Sequence, residues 1–112
     1  MAKVIITRKL EEEIYKVFKK ESTRIFELMY ALEENPHKGT AVGNIGGIII
    51  KELRYGGFRF YFITDGFKIK MLQKEELNNI LIKFIRMSNK KDQQKIIDEI
   101  KDILRKIGES GF

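Results

Sequence analysis

Two arginines lie on either side of a Gly-Gly pair in the stretch LRYGGFRFYF, residues 53–62. If Gly56 and Gly57 form a two-residue β-turn, Arg54 lies directly opposite Arg59 on the paired strand. Like charges that face each other across two strands destabilise the pair by up to about 1 kcal/mol, so an anion is expected nearby. Two guanidinium groups on one face can bind a phosphate through bidentate hydrogen bonds.

The sequence leaves two sources of that anion open, and a third reading needs no bound anion, because water and salt can screen a solvated arginine pair. Because side chains alternate along a strand, the same register places Glu52 and Tyr61 on the face that carries both arginines. Glu52 can act as an internal counterion between the guanidinium groups. An RNA phosphate can act as an external anion, with Tyr55 or Tyr61 stacking on a base.

The distribution of charge favours an anionic partner. The formal net charge is +6, and residues 35–74 carry seven Lys or Arg against two Asp or Glu. The flanking segments, 1–34 and 75–112, are nearly balanced. A localised basic patch is typical of proteins that bind a polyanion, although a solvated lysine-rich surface gives the same count.

Composition excludes several classes of chemistry. The chain has no cysteine, so it forms no disulfides and has no reactive thiol. His37 is the only histidine, so we expect no zinc site and no other metal or cofactor. No apolar run is long enough for a membrane span, and the first residues do not resemble a signal peptide. We therefore expect a cytoplasmic protein with no membrane partner, folded as a single domain over residues 1–112.

Hydrophobic periodicity predicts an α+β fold with the helices on one face of the sheet. An N-terminal strand is followed by a helical hairpin, an antiparallel sheet of three or four further strands and a C-terminal helix. The expected boundaries are a strand at 3–7, helices capped by Thr7 and by Ser22 or Thr23, a glycine-rich loop at 37–47, strands at 48–54 and 58–64, a two-residue turn at Asp65-Gly66, a third strand at 67–72 or 81–85, and a helix from Ser88 or Asn89 to Gly108.

Three stretches together resemble the RelE/ParE toxin superfamily, most closely its HigB-like, phage Gp49-like branch. They are ALEENPHKG, IIIKELRYGGFRFYF and FIRMSNKKDQQKIIDEI, so the resemblance covers most of the chain. It implies a small curved antiparallel sheet packed on two helices. It also implies the toxin of a toxin–antitoxin pair, an mRNA interferase that enters the ribosomal A site and cuts the bound mRNA. The implied partners are an antitoxin protein, the ribosome and mRNA.

The chemistry that the resemblance implies is a metal-independent transesterification. The RNA 2′-OH attacks the adjacent phosphate, which gives a 2′,3′-cyclic phosphate and a free 5′-OH. Such a reaction needs cations around the phosphorane, a proton acceptor and a proton donor. By resemblance Arg59 contacts the scissile phosphate, Arg54 positions it, and Lys90 lies at the last loop-to-helix junction, while Glu52 is a candidate proton acceptor. The expected RNA-binding residues are Lys51, Tyr55, Tyr61, Arg86 and Lys91.

The chain departs from the family pattern at three places, one of which is that no histidine follows the last strand, where some HigB-like members have one. Glu52 stands where RelE has a lysine that helps with proton transfer. Arg86-Met87 stands where the HigB-like branch usually has two adjacent lysines. Two other functions therefore stay open: a ParE-like toxin that binds DNA gyrase and cleaves nothing, and an RNA-binding domain without nuclease activity.

Overall fold

The computed structural model describes residues 2–66 and 80–107. Its elements confirm the predicted α+β order of N-terminal strand, helical region, sheet and C-terminal helix. A single 3₁₀ turn follows each of the first two helices. The elements are β1 (Lys3–Ile6), α1 (Arg8–Phe18), α2 (Ser22–Tyr30), β2 (Thr40–Ile45), β3 (Ile48–Tyr55), β4 (Phe58–Asp65), β5 (Leu81–Asn89) and α3 (Gln93–Ile107).

The five strands form one mixed sheet in the order β1-β5-β4-β3-β2. β2 pairs antiparallel with β3, β3 with β4, and β4 with β5, which confirms the predicted antiparallel sheet of further strands after the helices. β1 pairs parallel with β5 at the edge. Parallel neighbours need a long connection, and the helices and strands between β1 and β5 supply it. β4 is central, so the strand that carries Arg59 is held on both sides.

Helices cover both faces of this sheet. The face of β4 that carries Phe60 and Phe62 packs against α1 and α2. The opposite face, with Tyr61 and Ile63, packs against α3. The prediction that the helices share one face is therefore wrong. Consecutive large side chains in β4 make both of its faces hydrophobic, and both must be shielded from water.

The first helix begins at the predicted cap. The Thr7 hydroxyl accepts a hydrogen bond from the Leu10 backbone N–H at 3.3 Å. Leu10 and Ile14 are buried, as the apolar spacing predicts, but Val17 is 47% exposed. The helix ends one residue later, and Lys19 ends it with a φ of 51°. The last turn thus contributes Phe18, rather than Val17, to the core.

Replacing Thr7 with alanine is expected to lower the free energy of unfolding by about 1 kcal/mol, because a backbone N–H of the first turn loses its acceptor. The measurement is urea unfolding followed by circular dichroism. Thr23→Ala, at an exposed position within α2, is the control and should change stability by only a few tenths of a kcal/mol. Equal effects of the two substitutions would contradict the capping role.

Two predicted connections are wrong. Residues 40–45 of the expected glycine-rich loop form the edge strand β2. A Cβ at Gly43 would lie 2.8 Å from Cε of the flexible Lys101 side chain, so α3 crosses close above this strand. Asp65-Gly66 is not a two-residue hairpin turn, since Asp65 is paired with Ile48 in β4. Both edges of β4 are taken by β3 and β5.

Two boundaries near the C-terminus also differ from the prediction. Ser88 and Asn89 belong to β5, and α3 begins at Gln93. The Asn89 side-chain oxygen accepts the Asp92 backbone N–H at 2.9 Å, which closes the turn between strand and helix. The candidate strand at 81–85 lies within β5. The alternative strand at 67–72 and the helix stop at Gly108 lie outside the described residues.

Candidate nucleic-acid interface

The β3–β4 hairpin has the predicted register. Tyr55 pairs with Phe58 and Arg54 with Arg59. The turn residue Gly56 has a φ of 59°, a left-handed conformation that glycine adopts without strain. The two arginines therefore lie opposite each other, at the end of the sheet where the hairpin turns.

Glu52 is the counterion of the exposed arginine. Its Oε1 accepts a hydrogen bond from Arg54 Nε at 2.9 Å and also lies 2.9 Å from Arg54 Nη2 in the ion pair. The Glu52 side chain is 1% exposed, whereas the Arg54 side chain is 61% exposed. β2 begins at Thr40, opposite Glu52, so Arg54 lies beyond the part of β3 that pairs with β2. A guanidinium has five N–H donors, and Arg54 therefore retains donors for a second anion.

Arg59 lies beneath this ion pair. Its side chain is 8% exposed, and Nε is 4.0 Å from Glu52 Oε2. Nη1 donates a hydrogen bond to the Gly57 carbonyl at 3.1 Å. Within the described residues, its buried Nε–H has no hydrogen-bond partner. The two arginines thus share one acid, but only Arg54 is open to solvent.

Helix α3 and strand β5 hold this arrangement from the other side. Gln93 Nε2, at the first residue of α3, donates to Glu52 Oε2 at 3.2 Å. Ser88 faces Arg59 across the strand pair, and its Oγ lies 2.7 Å from the Tyr61 hydroxyl. Ser88 Oγ also donates to the Asn89 carbonyl, so Tyr61 is the donor in the shorter contact. Three elements therefore converge on the hairpin arginines.

Neither candidate stacking tyrosine is available beside the arginines. Tyr61 is 0% exposed, and burial raises its pKa above the ordinary value. Tyr55 points to the opposite face, where its hydroxyl donates to Glu21 Oε2 at 3.1 Å and its ring meets Phe18 edge to face. That hydrogen bond to Glu21 raises the Tyr55 pKa. Both rings therefore serve packing and hydrogen bonding within the fold.

Lys51 also faces away from the arginines. It is 5% exposed, its Nζ donates to the His37 carbonyl at 2.8 Å, and it lies 5.9 Å from the centre of the Phe62 ring. Burial lowers its pKa from the usual 10.5. In this position Lys51 attaches the loop before β2 to the sheet, and the ammonium cannot contact RNA on the arginine face.

The buried ammonium of Lys51 has a predictable effect on stability. Its pKa is lower in the folded chain than in the unfolded chain, so the unfolded chain binds more protons between the two values. The Lys51 contribution to folding should therefore become more favourable as pH rises through the lowered pKa toward 10.5. This contribution is measured by urea unfolding of the wild type and of the Lys51→Met variant between pH 7 and 10. The free energy of unfolding of the wild type minus that of Lys51→Met should increase as pH rises. A difference that does not change with pH would contradict this prediction.

The remaining basic candidates lie around the junction between β5 and α3. Lys90 and Lys91 are exposed in the turn after Asn89, which pairs with Phe58 beside the hairpin turn. Arg86 is partly exposed and lies 3.4 Å from Glu99 of α3. The structure thus brings Arg54, Lys90 and Lys91 to the same end of the sheet, with Arg86 further along β5.

Some residues that shape this site were not predicted. Gln93 and Ser88 bond to it, but only the three-dimensional packing of α3 and β5 on the hairpin identifies them. A separate groove of about 370 Å³ lies between β5 and α3. Lys83 and Arg86 are the basic residues of its mostly aliphatic lining, which includes Ile103 and Ile107. Ile103 of α3 is 50% exposed and Ile107 is 41% exposed beside this groove.

Across 2–66 and 80–107, no group of three or more acidic or histidine side chains could hold a metal ion. Of the helices formed by these residues, none is long and apolar enough to cross a membrane.

The chain was compared with known proteins in three ways. No family model matches it, and neither a curated protein nor a solved structure gives a match. The resemblance to the RelE/ParE superfamily therefore depends on the stretches quoted from the sequence and stays a prediction. What the protein does has to be inferred from the hairpin surface and its surroundings.

Proposed function

We propose that the protein is the toxin of a type II toxin–antitoxin pair, and that it cuts ribosome-bound mRNA by metal-independent transesterification. The observation that supports this proposal best is the pair of arginines on one face of the β3–β4 hairpin. Arg54 is largely exposed, and Lys90 and Lys91 are exposed at the same end of the sheet. Such a group of cations is suited to a polyanionic backbone.

The proposed roles follow from exposure. Arg54 contacts the scissile phosphate with the donors that Glu52 leaves available. Arg59, buried below, contributes positive potential in a poorly hydrated environment, where charge acts more strongly than in water. Lys90 is placed to donate a proton toward the departing 5′-oxygen, and Lys91 and Arg86 to contact flanking phosphates. The 2′-OH gives its proton to a water molecule and forms the new P–O bond as the bond to the 5′-oxygen breaks.

Glu52 fits the role of counterion better than the role of proton acceptor. Its side chain is 1% exposed. Its oxygens already accept one hydrogen bond from Arg54 Nε and one from Gln93 Nε2, and Arg54 Nη2 lies 2.9 Å from Oε1. A general base must come within hydrogen-bonding distance of the 2′-OH, and this burial opposes such an approach. In the proposal, Glu52 orients the arginines.

The test is cleavage on translating ribosomes. Purified protein is added to a translation reaction and the mRNA 5′ ends are mapped, without added divalent cations beyond those the ribosome needs. We expect cuts in phase with codons, 2′,3′-cyclic phosphate on the upstream fragment and 5′-OH on the downstream fragment. Intact mRNA, or fragments with 5′-phosphate ends, would overturn the nuclease proposal.

A second candidate is a non-catalytic binding protein, either ParE-like and directed at DNA gyrase or directed at RNA. The engagement of Arg54 with Glu52 and the burial of Arg59 favour this candidate, because both reduce the charge available to a phosphorane. Two assays separate these functions from the first. Inhibition of gyrase supercoiling without mRNA cleavage supports the ParE-like form. Salt-dependent RNA binding without cleavage supports the RNA-binding form.

The proposal includes an antitoxin partner and a cytoplasmic site of action, where ribosomes are found. An antitoxin that covers the exposed Arg54, Lys90 and Lys91 needs an acidic segment, helix or strand, to match their charge. The neighbouring open reading frame is the first candidate. Its product should bind the purified protein and protect mRNA from cleavage, and this binding should weaken as salt increases.

A further inference from the structure

We infer that Glu52 is an internal substitute for the substrate phosphate. An incoming phosphate replaces Glu52 as the partner of Arg54, and the Glu52 carboxylate then pairs with Arg59. The inference rests on the proposed function, because the anion it concerns is the RNA phosphate. It assigns different tasks to the two hairpin arginines. Arg54 becomes the substrate contact, and Arg59 becomes a positioning residue that acts through Glu52.

The first supporting observation is the balance of charge. One buried carboxylate lies against two guanidinium groups, so the group carries one more positive charge than neutrality requires. A buried carboxylate needs at least one close cation, because an unpaired buried charge is strongly unfavourable. Exposure decides which arginine can leave. The Arg54 side chain is 61% exposed and that of Arg59 is 8% exposed.

The second observation is the donor on Arg59 that lacks an acceptor. Across residues 2–66 and 80–107, the buried Nε–H has no hydrogen-bond partner. It lies 4.0 Å from Glu52 Oε2. A movement of about 1 Å would bring the two atoms to hydrogen-bonding distance. A new bond there would satisfy a buried donor and would replace the charge pairing that Glu52 loses when Arg54 moves away.

The third observation is that the carboxylate has an anchor which is independent of the arginines. Gln93 Nε2 donates to Glu52 Oε2 at 3.2 Å from the first residue of α3. The carboxylate can therefore keep its place while Arg54 rotates outward. Because Glu52 competes with phosphate for Arg54 in this scheme, removal of its charge should strengthen phosphate binding.

The first experiment uses the unmodified chain and pyrophosphate as the probe. The ¹⁵N-labelled protein is titrated with pyrophosphate, and the arginine Nε–H signals are followed by NMR. We expect the Arg54 and Arg59 signals to shift with the same midpoint, as one gains phosphate and the other gains Glu52. An Arg54 signal that does not respond, or an Arg59 signal that stays fixed while Arg54 responds, would overturn the inference.

The second experiment removes the carboxylate charge. Glu52→Gln is expected to bind pyrophosphate and a short single-stranded RNA about fivefold more tightly than the wild type, because the local charge becomes more positive. Glu12→Gln is the matched control. Glu12 pairs with Arg8 at 3.3 Å on the exposed surface of α1, so the change in net charge is identical. Equal binding by the two variants would overturn the inference, and if Glu52→Gln does not fold, the wild-type titration decides.

These outcomes separate the inference from the function on which it rests. In one outcome, the Arg54 and Arg59 NMR signals shift together but mRNA on the ribosome stays intact. This result would overturn the nuclease function and would support the exchange of partners. Codon-phased cleavage together with an unresponsive Arg54 would support the nuclease and overturn the exchange.

Discussion

Replacing Arg54 with alanine is expected to slow the cleavage of ribosome-bound mRNA by roughly 100-fold or more. Arg54 is the exposed guanidinium of the hairpin, and in the proposed mechanism it stabilises the charge that develops on the phosphate. Loss of one well-placed stabilising donor typically lowers a rate by about 100- to 1000-fold. The measurement is the rate at which codon-phased 5′ ends appear under single-turnover conditions.

The control is Arg24→Ala on helix α2. The Arg24 side chain is 64% exposed and pairs with Glu27 at 3.8 Å, so it resembles Arg54 in exposure and charge, but it lies on the other face of the sheet, where it acts electrostatically on the Tyr55 hydroxyl. Arg24→Ala should retain the wild-type rate within about twofold, since exposed ion pairs contribute little to stability. If the two variants cleave equally well, Arg54 has no part in the reaction. Arg54→Lys adds a further comparison, because a lysine keeps the charge without the bidentate geometry.

Replacing Phe62 with alanine is expected to lower the free energy of unfolding by about 3–5 kcal/mol. Phe62 is 0% exposed, and its ring centre lies 4.8 Å from that of Phe84 in the core under α1 and α2. Its ring also lies against Gly39, at the position where a Cβ would come within 2.8 Å. The substitution removes a large buried ring at the centre of the sheet, and the neighbours can refill the space only in part.

Chemical denaturation with circular dichroism measures this change, and the melting temperature should fall by roughly 10 °C or more. Ile103→Ala is the control, since Ile103 is also a large apolar residue but is 50% exposed on α3. Its effect should stay within about 1 kcal/mol. A loss for Phe62→Ala no larger than the loss for Ile103→Ala would show that the core is not centred on β4. Binding of pyrophosphate by the folded Phe62→Ala protein should persist, because Phe62 faces away from Arg54.

The sequence by itself determined the hairpin and its register. Gly56 and Gly57 allow a two-residue turn, and the period-2 alternation of a strand then places Arg54 opposite Arg59 with Glu52 on the same face. Thr7 could likewise be identified as a helix cap from local hydrogen-bonding preference. These features depend on residues close together in the chain, where backbone geometry leaves few alternatives.

Only the tertiary structure decided which of these groups reach solvent. Alternation gives the face of a strand, but it does not show that α3 covers that face and buries Tyr61 and Glu52 while Arg54 stays exposed. Nor could a local pattern bring Gln93 to Glu52, since their contact spans 41 positions along the chain. Burial and long-range pairing depend on how whole elements pack, and packing is set by the sum of many weak contacts across the fold.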